Sequence, residues 1–292
     1  MDRDIERLEF IGDALPVLWP NMGPEIFSAA CGCGYVFGES TAWSEPAILD
    51  WERDAAGIRF DPEHPLFAAT LRFTELLVEL SRGRYIVGLT DFHPGGDHLA
   101  ALRDPANLAM DLIDEPDRVK AMLSQAQAEY YRAYDILLAP IAAAGMPATA
   151  WINAPAFGRY YIPSCDFSAL ISRAQFDEFF LPGLVDECEF YDRSIYHLDG
   201  PGAIRHLESI LSIPGLDAIQ WVPGAGHEEL APWIPLLTRM RAGGKSVMLY
   251  CATRELGLVF DNFRPEGIWI VPTDVDDETT AREVLRRVAA WR

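Results

Sequence analysis

The sequence predicts an α/β fold in which eight parallel strands close into a single-domain (β/α)8 barrel of the TIM type. Short apolar segments without strict alternation suit strands buried on both faces, and segments of helical period separate them. The stretch 34–43 is a candidate eighth strand, and an open doubly wound sheet is the alternative fold. The other candidate strands are residues 15–19, 84–89, 148–153, 194–198, 217–221, 246–251 and 267–271.

Several predicted helices begin at residues that favour the N-terminal position of a helix. Pro116 opens a long helix at the position where a missing N–H costs nothing. Ser172 and Gln175 form a capping box. Pro201 begins another helix, and Asp277 precedes the final one, where an acidic residue complements the helix dipole. These helices follow apolar segments, as a parallel sheet with crossover connections requires.

Composition limits the class of function. Half of the 292 residues are hydrophobic and the formal net charge is −20, so most of the surface would repel the phosphates of nucleic acid. The sequence has no secretion signal pattern and no run of about 18 apolar residues, which favours a cytoplasmic protein that does not span a membrane. The five cysteines, an odd number, are expected to be free thiols. A metal ion or a cationic or neutral small molecule fits the acidic charge.

Functional groups of a barrel gather at the carboxyl ends of its strands. His197 and Asp199 end one apolar strand and are two residues apart, so their side chains point the same way and predict a metal site or a shared proton. A structural His–Asp hydrogen bond is the alternative. Asp91, His93 and Asp97 form a second cluster in a Gly-rich loop, which lets the backbone approach a ligand closely. There the alternative is an ordinary loop held by Asx turns.

Aromatic residues near the strand ends are candidates for the wall of an apolar pocket, although such residues usually belong to the core. They are Trp43, Phe157, Tyr160, Tyr161 and Trp221. The sequence lacks the motifs of common hydrolases, zinc proteases and kinases. Cys31 and Cys33 lack the two-residue spacer of a zinc clip and indicate a flexible loop.

Four segments taken together resemble the uroporphyrinogen decarboxylase superfamily. They are Gly88-Leu89-Thr90-Asp91-Phe92-His93, Asp166-Phe167-Ser168-Ala169-Leu170-Ile171-Ser172, Tyr196-His197-Leu198-Asp199-Gly200 and Trp221-Val222-Pro223-Gly224-Ala225-Gly226. The resemblance covers roughly residues 80–290 and implies a (β/α)8 barrel. The chain is somewhat short for this superfamily, which leaves open whether an N-terminal part is missing.

Within that superfamily the chain looks nearer to the cobalamin-dependent methyltransferases than to true uroporphyrinogen decarboxylases. The decarboxylases carry an arginine in the motif after the first strand, whereas the segment 20–25 of this chain has none. The methyltransferases hold zinc with a His-x-Cys-Gly motif and a later cysteine. His197 matches that histidine, Asp199 replaces the first cysteine, and Asp274 lies near the position of the second. Two carboxylates make a harder site than two thiolates.

The sequence therefore predicts methyl transfer from or to a small-molecule substrate, with a corrinoid protein as the cobalamin-carrying partner. A divalent metal, zinc first, is expected on His197, Asp199 and Asp274, and His197, Asp91 and His93 are the candidate catalytic residues. A decarboxylase that acts by proton transfer on a small substrate, and a barrel that only binds a corrinoid or tetrapyrrole, are the alternatives. The oligomeric state is open, with a homodimer considered. The candidate substrate-binding residues are Asn21, Asp97, Tyr160, Tyr161, Asp166 and Trp221.

Overall fold

The computed structural model describes residues 9–39 and 41–292, which form a mixed α/β structure. Parallel strands lie in the interior and helices lie between them in the chain. The strands are β1 (Val17–Leu18), β2 (Gly34–Phe37), β3 (Ala42–Glu45), β4 (Ile86–Val87), β5 (Tyr160–Tyr161), β6 (Arg193–Asp199), β7 (Ala218–Val222), β8 (Ser246–Cys251) and β9 (Ile268–Pro272).

The strands pair in chain order. β1 pairs with β4, and β5 to β9 form a five-stranded sheet in which every neighbouring pair is parallel. Parallel neighbours require a crossover connection, and helices supply it. The predicted parallel α/β fold is therefore confirmed. No closed sheet occurs among the described residues, so the barrel stays a prediction.

The stretch 34–43 does not supply the eighth parallel strand. It forms most of the antiparallel hairpin of β2 and β3, in which Tyr35 pairs with Ser44. The parallel strand that the sequence analysis missed is β5, which has only two residues. So short a strand gives no periodic signal, and its two tyrosines were interpreted as a pocket wall instead.

The predicted strand at 148–153 is present only as irregular extended chain. Leu89 N donates to Thr149 O at 2.8 Å, which places this stretch beside the chain that follows β4. Ala148 also forms an isolated antiparallel bridge with Ala156. The stretch therefore lies next to β4 in space, without the ladder of hydrogen bonds that defines a strand.

The helices begin and end close to where their sequence signals predict. The helix at Pro116 runs for 28 residues, Ser172 and Gln175 form both hydrogen bonds of the capping box, and the side chain of Asp277 caps the last helix through Thr280 N. A π-helical turn, Phe176–Phe180, joins α7 to α8. The α-helices are α1 (Ile26–Ala30), α2 (Trp51–Asp54), α3 (Pro65–Ser81), α4 (Gly95–Arg103), α5 (Pro105–Asp114), α6 (Pro116–Ala143), α7 (Arg173–Gln175), α8 (Leu181–Phe190), α9 (Gly200–Ala203), α10 (Leu207–Leu211), α11 (Ile234–Ala242), α12 (Leu256–Asn262) and α13 (Glu278–Ala290).

Two further expectations from composition can be compared with the structure. The five cysteines are buried free thiols, as their odd number predicts. In the part of the chain that the structure describes, no helix combines the length and the apolar character needed to cross a membrane.

Gly88 lies where the strand β4 meets its two neighbours. A Cβ atom at this position would lie 3.0 Å from Trp19 Cβ, in the chain after β1, and 3.4 Å from Ala150 Cα. The first contact is tighter than ordinary van der Waals packing, and the second, at its lower limit, involves backbone that cannot rotate away. The absence of a side chain at Gly88 therefore lets three segments of the sheet approach one another.

We expect Gly88→Ala to lower the free energy of unfolding by about 1–3 kcal/mol, because the added methyl group overpacks this contact. Urea denaturation of the purified protein measures the change. Gly57→Ala is the matched control, since no atom lies within 4 Å of a Cβ there and its φ is not positive. Equal stability of the two variants would contradict the proposed packing role of Gly88.

Candidate active site at the carboxyl end of β6

The carboxyl end of β6 positions the centre of the candidate site. β6 is extended over seven residues, so His197 and Asp199 lie on the same face, as their spacing predicts. The segment 163–166 runs beside the strand. His197 N donates to Pro163 O at 2.9 Å, and Ser164 forms a parallel bridge with His197. This pairing brings the next acidic residue, Asp166, to the same end of the sheet.

Asp166, His197 and Asp199 form a group that could hold a metal ion. Each offers one ligand atom, and the three atoms lie within 4.8 Å of one another. The sequence analysis expected Asp274 as the third ligand, but the carboxylate of Asp274 accepts hydrogen bonds from Thr253 N at 2.7 Å and Thr253 Oγ1 at 3.1 Å. Among the described residues, the third member of the group is Asp166, which the sequence analysis had assigned to substrate binding.

Gln220 selects the tautomer of the neutral His197 ring. The parallel register of β6 and β7 places Gln220 opposite His197, and its Oε1 lies 2.6 Å from His197 Nδ1. The Gln220 amide nitrogen donates to the hydroxyl of Tyr250 at 2.7 Å, so Oε1 is the atom that faces the histidine. An amide oxygen accepts only, and Nδ1 must therefore carry the proton. The lone pair of Nε2 is left for a ligand, an arrangement typical of metal-binding histidines.

Asp97 holds the segment that carries Asp166. Its carboxylate accepts hydrogen bonds from Ser164 Oγ at 3.1 Å, from Asp166 N at 3.1 Å and from Phe167 N at 2.8 Å. The last two N–H groups belong to the first turn of a short 3-10 helix, which has no other side-chain cap. Asp97 is therefore a positioning residue of this loop, and its carboxylate also adds negative charge to the site.

The site is crowded with carboxylates. Asp166 keeps part of its surface exposed, yet partial burial of its carboxyl group and the neighbouring Asp97 carboxylate raise the pKa of Asp166 to about 7, and Asp199 and Asp91 act in the same direction. Positive charge on His93 opposes this rise. When neighbouring charges disfavour the ionisation of a carboxyl group, a nearby cation stabilises its ionised form. The electrostatics of the site therefore match a metal ion or another positive group.

Asp91 and His93 form a hydrogen-bonded pair beside this group. Asp91 Oδ1 lies 2.7 Å from His93 Nε2, and Tyr161 positions the loop by donating to Thr90 O at 2.6 Å and accepting from Phe92 N at 2.9 Å. Burial lowers the pKa of His93, but Asp91 and the more distant carboxylates outweigh it and raise that pKa to about 9. His93 is therefore protonated at neutral pH, and its buried Nδ1 has no hydrogen-bond partner among the described residues.

A cleft of about 520 Å³ opens next to Asp91 and Trp151. Asn21 and the hairpin residue Phe37 also line it. Trp151 packs its ring edge-on against the His197 imidazole, with 5.1 Å between the ring centroids. The indole N–H of Trp151 is buried without a hydrogen-bond partner in the described part of the chain, which leaves a donor unsatisfied beside the cleft.

Three of the predicted substrate-binding aromatics lie in the core instead of the cleft. Tyr160, Tyr161 and Trp221 are each at most 2% exposed. The hydroxyl of Tyr160 donates to a backbone carbonyl at 3.4 Å, and Trp221 packs against Trp233 with 4.9 Å between ring centroids. These aromatics shape the interior that supports the site.

A second cavity, of about 510 Å³, lies between α6, the π-helical turn and α8. Glu187 lines it and is 2% exposed, and its Oε2 has no hydrogen-bond partner among the described residues. Burial raises the pKa of Glu187 to about 8, Asp97 and Asp186 add to the rise, and His93 opposes it. Glu187 is therefore a protonated, unpaired carboxylic acid at neutral pH. We call this space the Glu187 cavity.

The sequence analysis missed four of these residues or their roles. Gln220 could have been found, because aligning the predicted strands in parallel places it beside His197. Asp166 was recognised as polar, but nothing local predicts that it reaches His197. Trp151 lies in the irregular stretch 148–153, and Glu187 has the sequence context of an ordinary helix residue.

Comparison with known proteins supports the fold. No protein-family model matches the chain, and no curated protein matches its sequence. Among solved structures, a methyltransferase from Methanosarcina mazei superposes with a TM-score of 0.61 at 12% identity, covering 99% of this chain and 82% of that chain. At this identity the similarity shows a shared fold alone. The resemblance to the uroporphyrinogen decarboxylase superfamily stays an expectation.

We expect Glu187→Gln to change how stability depends on pH. The pKa of Glu187 rises from 4.5 to about 8 on folding, so the folded state binds more protons in this interval. The stability that this proton uptake gives is complete below pH 4.5 and is lost as the pH rises towards 8. The free energy of unfolding of the wild type, relative to the variant, should fall by up to about 1.4 kcal/mol per pH unit.

Urea denaturation at intervals between about pH 5 and pH 8 measures this difference. The exposed Glu189 lies on the same helix, and Glu189→Gln is the control that should follow the wild type. Parallel pH profiles of wild type and Glu187→Gln would show that Glu187 ionises normally.

Proposed function

We propose that this chain is a methyltransferase that moves a methyl group between a corrinoid carried by a partner protein and a small-molecule acceptor. The convergence of Asp166, His197 and Asp199 carries the proposal, because it provides an electron-pair donor set at one end of a parallel sheet. The fold shared with the Methanosarcina mazei methyltransferase supports methyl transfer as the reaction class.

The three side chains fit a divalent metal ion, and zinc is the first candidate. One imidazole nitrogen and two carboxylate oxygens leave a fourth position open, as in catalytic zinc sites with three protein ligands. When bound, the ion would supply a Lewis acid at that open position. In this proposal Asp166 takes the place that the sequence analysis gave to Asp274. The two hard oxygen ligands favour an acceptor that presents oxygen over one that presents a thiol.

Other side chains prepare the site for the substrate. Gln220 accepts a hydrogen bond from His197 Nδ1 and so directs Nε2 towards the metal position, and Asp97 holds the backbone of Asp166. The unpaired indole N–H of Trp151 offers a hydrogen bond to a substrate oxygen in the cleft. Asp91 keeps His93 protonated, and this positive charge would stabilise the deprotonated, nucleophilic form of the acceptor before it attacks the methyl group.

The sheet geometry supports a closed barrel for this enzyme. Seven strands are parallel to a neighbour, β1 with β4 and β5 to β9 in one sheet, and the stretch 148–153 contacts the chain after β4 through the hydrogen bond from Leu89 N to Thr149 O. In the barrel that we propose, β9 would lie against β1, and the stretch 148–153 would fill the gap between β4 and β5. This arrangement puts the carboxyl ends of all eight segments, and hence the site, at one mouth.

The hairpin of β2 and β3 is the place where a corrinoid protein would approach. Phe37 and Trp43 are 60% and 66% exposed, and Phe37 also lines the cleft. Exposed aromatic side chains on the rim of a cleft are typical of protein contacts. A partner docked on this hairpin would present its bound corrinoid to the metal ligands.

Decarboxylation of a small substrate is the second candidate function, favoured by the Asp91–His93 pair. A histidine with a pKa of about 9 is a proton donor at neutral pH, and its Nδ1 has no partner in the described part of the chain. Such a group could protonate the carbanion that remains after carbon dioxide leaves. Release of carbon dioxide without methyl transfer would favour this function over the first.

We expect purified wild-type protein to contain about one equivalent of zinc or another divalent ion, and Asp166→Asn and His197→Ala to lose it, because each variant removes one of three ligands. Elemental analysis after dialysis gives the metal content. Asp274→Asn is the matched control and should retain the ion, since Asp274 bonds to Thr253. Loss of metal in Asp274→Asn with retention in Asp166→Asn would restore the ligand set predicted from sequence.

We expect Gln220→Leu to lower metal affinity by about 10–100-fold while the protein stays folded, because His197 then loses the acceptor that orients its ring. Competition with a chromophoric chelator measures the affinity. Tyr250→Phe, which removes only the hydroxyl bonded to Gln220, should have a smaller effect. Wild-type affinity in Gln220→Leu would show that His197 is not oriented through this contact.

A further inference from the structure

We infer that the Glu187 cavity is a second binding site, and that it takes a primary organic ammonium ion with a short apolar body. The cavity is separate from the cleft that Asp91 and Trp151 line. The inference does not rest on the proposed methyl transfer, because the volume, the charges and the walls of the cavity do not involve the metal ligands.

The size of the cavity and one unpaired polar group indicate a ligand. A volume of about 510 Å³ is within the range of small-molecule sites. Glu187 is 2% exposed with Oε2 unpaired among the described residues, and an unsatisfied buried polar group costs about 1–3 kcal/mol. A ligand that donates a hydrogen bond to Oε2 would remove that cost.

The charges around the cavity favour a cation. Lys120, the positively charged residue of the lining, is paired with Glu178 at 2.6 Å, and both are about half exposed at the rim. Asp186 and Glu187 are the remaining acidic groups of the lining, and neither forms an ion pair within the part of the chain that the structure describes. A bound anion would lie beside the acidic Asp186 and would favour the protonated form of Glu187, whereas a cation would stabilise the ionised form of Glu187.

Aromatic and apolar side chains form the walls for the body of the ligand. Tyr131, Phe179 and Phe180 line the cavity together with Leu123. Lys120 Nζ already lies 5.0 Å from the centroid of the Phe179 ring, so this ring accepts a cation on its face. A short alkyl chain would cover these walls while its ammonium group reaches Glu187.

Binding should be coupled to loss of the Glu187 proton. Burial raises the pKa of Glu187 to about 8, so Glu187 is protonated in the empty site at pH 7, and an ammonium ion stabilises its ionised form. Affinity should therefore increase as the pH rises from about 6 to about 8. The ionisable groups that act on Glu187 or are acted on by it are His93, Asp97, Asp186, Tyr130, Tyr131, Cys165, Cys188, Tyr191 and Tyr196.

The location of the cavity suggests why a ligand there would matter. Ser164 and Cys165 line it, and Asp166 is the next residue in the chain. Ser164 Oγ also donates to Asp97, which holds Asp166 N. An occupant would therefore contact the same segment that positions one wall of the candidate active site.

Isothermal titration of the full-length protein with n-butylammonium chloride tests the inference. We expect saturable binding that tightens from about pH 6 to about pH 8, and a loss of at least about tenfold in Glu187→Gln, since the charge and the acceptor geometry are both changed. Ser124→Trp, which fills the cavity from the exposed face of α6, should also abolish binding. Sodium butyrate, of the same length and opposite charge, should not bind.

Matched variants separate this inference from the proposed function. Glu189→Gln on the same helix and His197→Ala at the metal group should both bind n-butylammonium like the wild type. Absence of saturable binding, or equal affinity in wild type and Glu187→Gln, would overturn the inference and leave the metal predictions untouched. Loss of binding in His197→Ala alone would place the ammonium ion in the cleft and would also overturn it.

Discussion

The parallel pairing of β6 with its neighbours on both sides is the constraint on which the candidate site depends. On one side the register sets His197 opposite Gln220, whose amide decides which imidazole nitrogen is protonated. On the other side the bridge between Ser164 and His197 brings Asp166 to the strand end. A shift of one residue in either register would turn His197 and Asp199 to the opposite face of the sheet. The site therefore exists only while this pairing holds.

Negative charge is the second property that organises this molecule. The chain carries a formal net charge of −20, and Asp91, Asp97, Asp166 and Asp199 meet at one end of the sheet. Carboxylates so close together oppose one another's ionisation. Keeping all of them ionised is unfavourable unless a cation or a proton compensates the negative charge. The protonated His93 supplies part of that compensation, and a metal ion on the group of three would supply the rest. The same balance recurs at Glu187, where burial leaves a proton on the acid.

The segment 164–167 connects the metal group to the Glu187 cavity. Asp97 on α4 accepts three hydrogen bonds from it, and the residues that donate them are separated from Asp97 by 67, 69 and 70 positions in the chain. One side of this segment contributes Asp166 to the metal group, and Ser164 and Cys165 line the Glu187 cavity. These three hydrogen bonds, which are exposed or partly buried, therefore hold a segment that the metal group and the Glu187 cavity share.

The sequence by itself determined the parallel α/β fold, the main helix starts and the position of His197 and Asp199 on one face of their strand. All of these follow from periodicity and spacing within a few residues. Only the tertiary structure decided that Asp166 joins them, that Asp274 bonds to Thr253, and that Tyr160, Tyr161 and Trp221 lie in the core. Those positions depend on hydrogen bonds and packing between segments distant in the chain. Local sequence carries no record of such contacts, since the same aspartate or tyrosine fits a loop, a core or a site until its neighbours are fixed.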